Sequence, residues 1–145
     1  MRRDSGTRRL VPYALGGPLN NHWARPPSSS GLGRRPFTPF SFAGEDEVTS
    51  SVMGAITDLN VMTRRGRFKA EVTTRRVDDE GLELEPAPGA VESLVAVLDG
   101  QITAVTTRGA SVDLKPLDVI SGYCAPLALS GLGVVEVISV LAADS

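Results

Sequence analysis

The stretch Asp-Leu-Asn-Val-Met-Thr-Arg-Arg-Gly at residues 58–66 combines side chains that could bind a small polar ligand. Successive side chains of a β-strand point to opposite faces, so a strand here would gather every second residue on one face. That face would carry an acid, an amide, a thioether and a guanidinium, from Asp58, Asn60, Met62 and Arg64. Guanidinium groups bind carboxylates through paired hydrogen bonds. The pattern therefore predicts that Arg64 holds a small carboxylate and that Asn60 adds a directional hydrogen bond.

The same alternation is typical of any half-buried strand whose polar face is solvated. In that interpretation Arg64 is a structural arginine, paired with Asp58 or with an acidic loop. Arg65 would point to the opposite face unless the strand ends before it. The alternation alone leaves both interpretations open.

The elements that must position these residues are strands. Alternating or continuously apolar segments separated by Gly, Pro and Asp indicate an all-β sandwich or barrel. We predict strands at 40–42, 48–52, 58–66, 68–76, 82–85, 93–98, 101–107, 111–114, 119–120 and 134–141. Asp99-Gly100 is a hairpin signal between two of them, and Gly131-Leu132-Gly133 is typical of a loop.

The chain divides into two regions of opposite charge. Residues 1–35 carry seven arginines and one acid, for +6, and residues 36–145 carry −8, which gives the net charge of −2. The first region is rich in Gly, Pro, Ser and Arg without periodicity, so we predict a disordered or aberrant segment at 1–35 and a folded domain at 36–145. Because the basic residues lie in the aberrant segment, we expect no nucleic-acid partner.

Several classes of chemistry are excluded by residue counts. The single histidine, His22, lies in the N-terminal segment, so residues 36–145 cannot form a histidine-ligated metal site or a histidine-based nucleophilic site. The acidic clusters 45–47 and 78–80 could in principle hold a metal, but both lie in predicted turns and are typical of solvated charge, so we expect no metal and no cofactor. Nothing in the sequence pairs two carboxylates for acid–base chemistry, so we expect no catalytic residues. The single cysteine, Cys124, cannot form an internal disulfide, so nothing indicates an oxidising compartment, and its apolar neighbours predict a buried thiol. No apolar run reaches 18 residues, so we predict a cytoplasmic protein without a membrane span.

The 58–66 stretch resembles the central motif of the HutD/Ves family, small bacterial proteins with a doubled cupin barrel. The similarity extends to 39–50 upstream and 67–72 downstream, and more loosely over 36–145. The segment from Val95 to Asp118 also resembles a cupin half-barrel, with Leu117 in place of the glycine of the cupin Pro-Gly-Asp corner. The resemblance implies a cupin-like, jelly-roll fold and a ligand site at Asp58, Asn60, Met62, Arg64 and Arg65.

The same resemblance implies a regulatory function in histidine utilisation. Family members are similar to cupins that bind a small pathway acid, here formylglutamate, urocanate or formate, without proven catalysis. The family's N-terminal Trp-Lys-Asn-Gly-Gly-Gly motif and first cupin repeat have no match here, so we expect only the central motif and the second half. A metal-independent cupin enzyme and an inactive truncated fragment remain alternatives. The exposed edges of a lone half would favour a homodimer.

Overall fold

The computed structural model describes residues 7–13, 37–43 and 57–143, and strands are the only regular elements among them. Their bounds are β1 Thr7–Tyr13, β2 Phe40–Ala43, β3 Thr57–Thr63, β4 Phe68–Val77, β5 Leu82–Leu84, β6 Ala90–Thr106, β7 Ser111–Leu114, β8 Val119–Ser121 and β9 Leu127–Ala142. All described pairings are antiparallel, which confirms the all-β prediction.

The chain forms two compact units, Met1–Arg65 and Gly66–Ser145. The described part of the first unit is a three-stranded sheet in the order β2-β1-β3. Its central strand, β1, lies within 1–35, where we predicted no strand. The predicted boundary between 35 and 36 stays a prediction, since most of that segment and the predicted strand at 48–52 lie outside the described residues.

The second unit is a six-stranded sheet built on two long strands. β6 has 17 residues and β9 has 16, and they pair along almost their whole length. β8 and then β7 pair in succession with the other side of β6, while β5 and β4 pair in succession with β9. The two long strands therefore form the centre of the sheet, and the shorter strands pair with their outer sides.

The core of the second unit is aliphatic. It is formed by Val77, Leu84, Val95, Val97, Ile102, Ala104, Leu114, Leu127, Leu129 and Val135. These residues alternate along their strands, as expected for one inward face. From Val95 to Leu98, however, four consecutive residues are buried, so both faces of β6 are covered there.

The hairpin predicted at Asp99-Gly100 and the loop predicted at 131–133 are wrong. β6 and β9 run through these glycines, and Gly100 pairs with Gly133. A Cβ on Gly100 would overlap the carbonyl oxygen of Leu132, and one on Gly131 would overlap that of Gln101. The glycines therefore permit close approach of two continuous strands. An Asp-Gly pair does not distinguish a turn from such a bulge.

Cys124 is exposed, which corrects the prediction of a buried thiol. It lies in the segment between β8 and β9, whose residues 124 and 125 are both exposed despite their apolar neighbours. Among the described residues, no helix is long and apolar enough to cross a membrane.

Candidate functional site

β3 carries the first residues of the predicted site, and its exposure alternates as predicted. Asn60 is exposed and Met62 is 65% exposed, whereas Leu59 and Val61 are partly buried and Thr63 is only 8% exposed. The polar face of β3 is thus accessible at Asn60 and Met62. The side chain of Asp58 lies outside the described residues, so its predicted position on this face stays a prediction.

Both arginines of the site lie just beyond the end of β3. The strand ends at Thr63, and Arg64 and Arg65 are exposed at the start of the turn that leads to Gly66. Gly66 has a φ of 74°, a conformation that favours glycine. Because the strand ends before Arg65, the alternation no longer assigns the two guanidinium groups to opposite faces.

β1 borders the site strand along its full length. All seven residues of β3 have a partner in β1, and Arg8, Leu10 and Pro12 are opposite Met62, Asn60 and Asp58. We missed this neighbour because residues 1–35 are rich in Gly, Pro, Ser and Arg and show no strand periodicity, and Pro12 in the strand donates no backbone hydrogen bond. The available signal was the pair of strand-favouring residues Val11 and Tyr13.

Buried polar groups in the second unit form a separate set that we also missed. Glu136 is fully buried on β9, where Thr74 and Ala96 are its register partners. Ser93 and Ser139 are buried and opposite each other on β6 and β9. Burying a carboxyl group costs free energy unless the group is paired or protonated. The environment of Glu136 must therefore meet one of these two conditions. Its only signal in the sequence is a lone acid in the β-branched run 134–141.

Tyr123 packs against the aliphatic core of the second unit. Its hydroxyl is buried and makes no hydrogen bond within the described residues. Desolvation by this burial raises the pKa of the phenol above its ordinary value.

A cavity of about 760 Å³ lies at the β6–β7 edge of the second unit. It is lined by Gln101, Ile102, Thr103, Asp113, Leu114, Lys115 and Asp118. The sequence assigned these residues to strands and to the corner that ends at Asp118, but it did not group them as a site, because their types are ordinary for strand ends and turns. No group of three or more potential metal ligands from His, Cys, Asp and Glu occurs within the described part of the chain.

The family model named HutD matches residues 26–129, which is more than half of the chain. The chain belongs to the HutD family. This match covers the β3 motif and confirms the resemblance that the motif carries. Among curated proteins, none matches the chain.

Two solved structures share the fold. The conserved protein of unknown function PA5104 from Pseudomonas aeruginosa PAO1 is 18% identical, with a TM-score of 0.74 over 96% of this chain and 74% of that chain. HutD from Pseudomonas fluorescens SBW25, in a formate condition, is 16% identical, with a TM-score of 0.66 over 97% of this chain and 71% of that chain. The fold of this HutD-family chain is therefore all-β, as predicted, and is shared with these two structures.

Proposed function

We propose that this HutD-family protein binds a small carboxylate at the exposed face of β3 and regulates histidine utilisation. The observation that carries the proposal is the accessibility of Asn60 and Met62 directly before two exposed arginines. An amide and a guanidinium within five residues supply the directional and ionic contacts that a carboxylate needs. Formate, the smallest carboxylate, is named with the HutD structure from P. fluorescens.

The proposed ligands are formylglutamate, urocanate and formate. Each presents a carboxylate, and the two larger ones add a polar or aromatic body that the exposed thioether of Met62 could contact. Asp58 would complete the site by accepting a hydrogen bond from a donor on the ligand. Arg65 would supply a second positive charge. A cytoplasmic location accords with the single cysteine and with this class of ligand.

Isothermal titration of the full chain with formate, formylglutamate and urocanate tests the proposal. We expect saturable binding of at least one carboxylate and its loss in Arg64→Ala. Arg64→Lys should bind at least fivefold more weakly than the wild type, because an ammonium cannot reproduce the paired hydrogen bonds of a guanidinium. Arg75→Ala is the matched control, since Arg75 is an exposed arginine of β4.

The alternatives give different outcomes in the same experiment. Turnover of a ligand without added metal would favour a metal-independent cupin enzyme. A folded protein that binds none of the three carboxylates would favour an inactive fragment. Equal binding by the wild type and Arg64→Ala would remove Arg64 from the site.

A further inference from the structure

The cavity at the β6–β7 edge is a second place where a small molecule could bind. Its volume of about 760 Å³ falls in the range typical of small-molecule sites. All of its lining residues belong to the unit Gly66–Ser145, whereas every residue of the proposed carboxylate site belongs to Met1–Arg65. The two sites can therefore be tested independently.

Hydrogen bonds within the protein fix the two carboxylates of this cavity, that of Asp113 on β7 and that of Asp118 in the turn that follows β7. Thr103 Oγ1 donates a hydrogen bond of 2.7 Å to Asp113 Oδ1, and the two residues are register partners on β6 and β7. The backbone N–H of Lys115 donates a hydrogen bond of 3.0 Å to Asp118 Oδ2. Each carboxylate thus has one oxygen fixed within the protein and keeps its other oxygen as a further acceptor.

The charges of the lining select a class of ligand. Asp113 and Asp118 supply two negative charges and Lys115 supplies one positive charge, so the lining has a net charge of −1. A complementary ligand carries a carboxylate for the ammonium of Lys115 and two cationic groups for the two aspartates. An apolar ligand would desolvate these groups without replacing their hydrogen bonds.

We propose that this cavity binds an amino acid with a cationic side chain. Its α-carboxylate contacts Lys115, and its two cationic groups contact Asp113 and Asp118. Gln101 and Thr103 lie beside these charges and offer neutral hydrogen-bonding groups. The cavity is open to water, so the contacts are screened and the affinity is modest.

Titration of the ¹⁵N-labelled full chain, followed by NMR, tests this proposal with four probes. L-lysine carries all three groups, 1,5-diaminopentane lacks the carboxylate, 6-aminohexanoate lacks the α-ammonium, and glutarate carries only negative charge. We expect L-lysine to bind tightest and glutarate weakest. Each missing contact should weaken binding about fivefold, as for a partly exposed charge-assisted hydrogen bond. The shifted amides should be those of the lining residues.

Two charge variants separate the contacts. Lys115→Gln should weaken L-lysine about fivefold but leave 1,5-diaminopentane unchanged or tighter, because only L-lysine has a carboxylate to lose. Asp113→Asn should weaken both probes, while its amide oxygen can still accept the hydrogen bond from Thr103. Asp79→Asn is the control, since Asp79 is an exposed turn residue outside the lining.

The proposal is overturned if no probe shifts the amides of the lining residues, or if glutarate shifts these amides at concentrations as low as L-lysine does. It is also overturned if Lys115→Gln weakens L-lysine and 1,5-diaminopentane equally, since that result assigns Lys115 a structural role. Loss of carboxylate binding in Arg64→Ala leaves these outcomes unaffected, because the two sites share no residue.

Discussion

Tyr123 shows how one buried polar atom can lower stability. Its hydroxyl is buried without a hydrogen bond to the described residues, and such a group costs about 1–3 kcal/mol. We therefore expect Tyr123→Phe to raise the free energy of unfolding by about 1 kcal/mol, as measured by urea denaturation at neutral pH. Destabilisation by the same substitution would show that the hydroxyl has a partner.

The buried phenol of Tyr123 should also make the free energy of unfolding depend on pH. Burial raises the pKa of Tyr123 in the folded protein above the value of 10.0 expected when it is solvated. The stabilising effect of keeping this phenol protonated is fully present below pH 10.0 and is lost as the pH rises through the folded-state pKa. Above pH 10.0 the free energy of unfolding of the wild type should therefore fall more steeply than that of Tyr123→Phe. Tyr13 is present in both proteins, so its titration does not affect the comparison.

Leu117 occupies a turn position that normally requires glycine. Its φ is 78°, and Asp118 N donates a hydrogen bond of 3.0 Å to Lys115 O, so residues 115–118 form a type II-like turn with Pro116 at its second position. A non-glycine residue in this region costs about 1–2 kcal/mol, partly offset by the lower entropy of its unfolded chain. Leu117, which stands where the resembled Pro-Gly-Asp corner has glycine, thus adopts the positive φ that glycine would favour.

We expect Leu117→Gly to be more stable than Leu117→Ala by about 0.5–1 kcal/mol in urea denaturation. Both variants remove the same exposed side chain, which is 60% exposed in the wild type, but only glycine relieves the strain. Equal stability of the two variants would show that the turn adapts without strain.

At the scale of elements, the pairing of β6 with β9 at Gly100 depends on the absence of a Cβ atom. Gly100 faces the Leu132 carbonyl oxygen and the Cα of Gly133, both backbone atoms that cannot move aside. Gly100→Ala should therefore cost more than about 3 kcal/mol or prevent folding. Gly109→Ala is the matched control: its φ is 80°, but nothing lies within 4 Å of the added Cβ, so it should cost only about 1 kcal/mol. Similar losses of unfolding free energy in both variants would show that the positive φ of Gly100, and not its contact with β9, makes glycine necessary there.

The sequence predicted strands where their alternation is local. The predicted segment 111–114 coincides with β7, and 68–76 falls within β4 Phe68–Val77. It failed where the decisive contact is distant in the chain. β6 continues through Gly100 because Gly133 is opposite it, and β1 forms because β3 supplies its hydrogen bonds. Neither partner can be identified from local composition.

The candidate site on β3 was predictable in part, because its exposure depends on local alternation. The exposure of Asn60 and Met62 follows from a period of two along β3. The cavity beside Asp113 and Lys115 could not be predicted, because it requires the register that places Asp113 opposite Thr103. Register is a long-range property of the sheet.

At the scale of the whole molecule, one edge of the six-stranded sheet favours self-association. β7 and β8 have β6 as their only neighbour among the described strands, which leaves backbone groups on their outer sides available for pairing. Three apolar side chains on this side are roughly half exposed: Val112 at 48%, Val119 at 49% and Leu117 at 60%. An antiparallel pairing of two such edges is self-complementary, as a two-fold dimer requires.

We therefore expect the 15.3 kDa chain to form a concentration-dependent homodimer through this edge, which light scattering after size-exclusion chromatography would detect as a rise toward twice that mass. Val112→Lys places a charge on the edge strand and should shift the protein to the monomer, since a buried unpaired ammonium opposes pairing. Leu132→Lys is the control, because Leu132 is 62% exposed but lies on β9, which has neighbours on both sides. A monomer at every concentration would contradict the prediction, and a dimer that persists in Val112→Lys would place the interface on another surface.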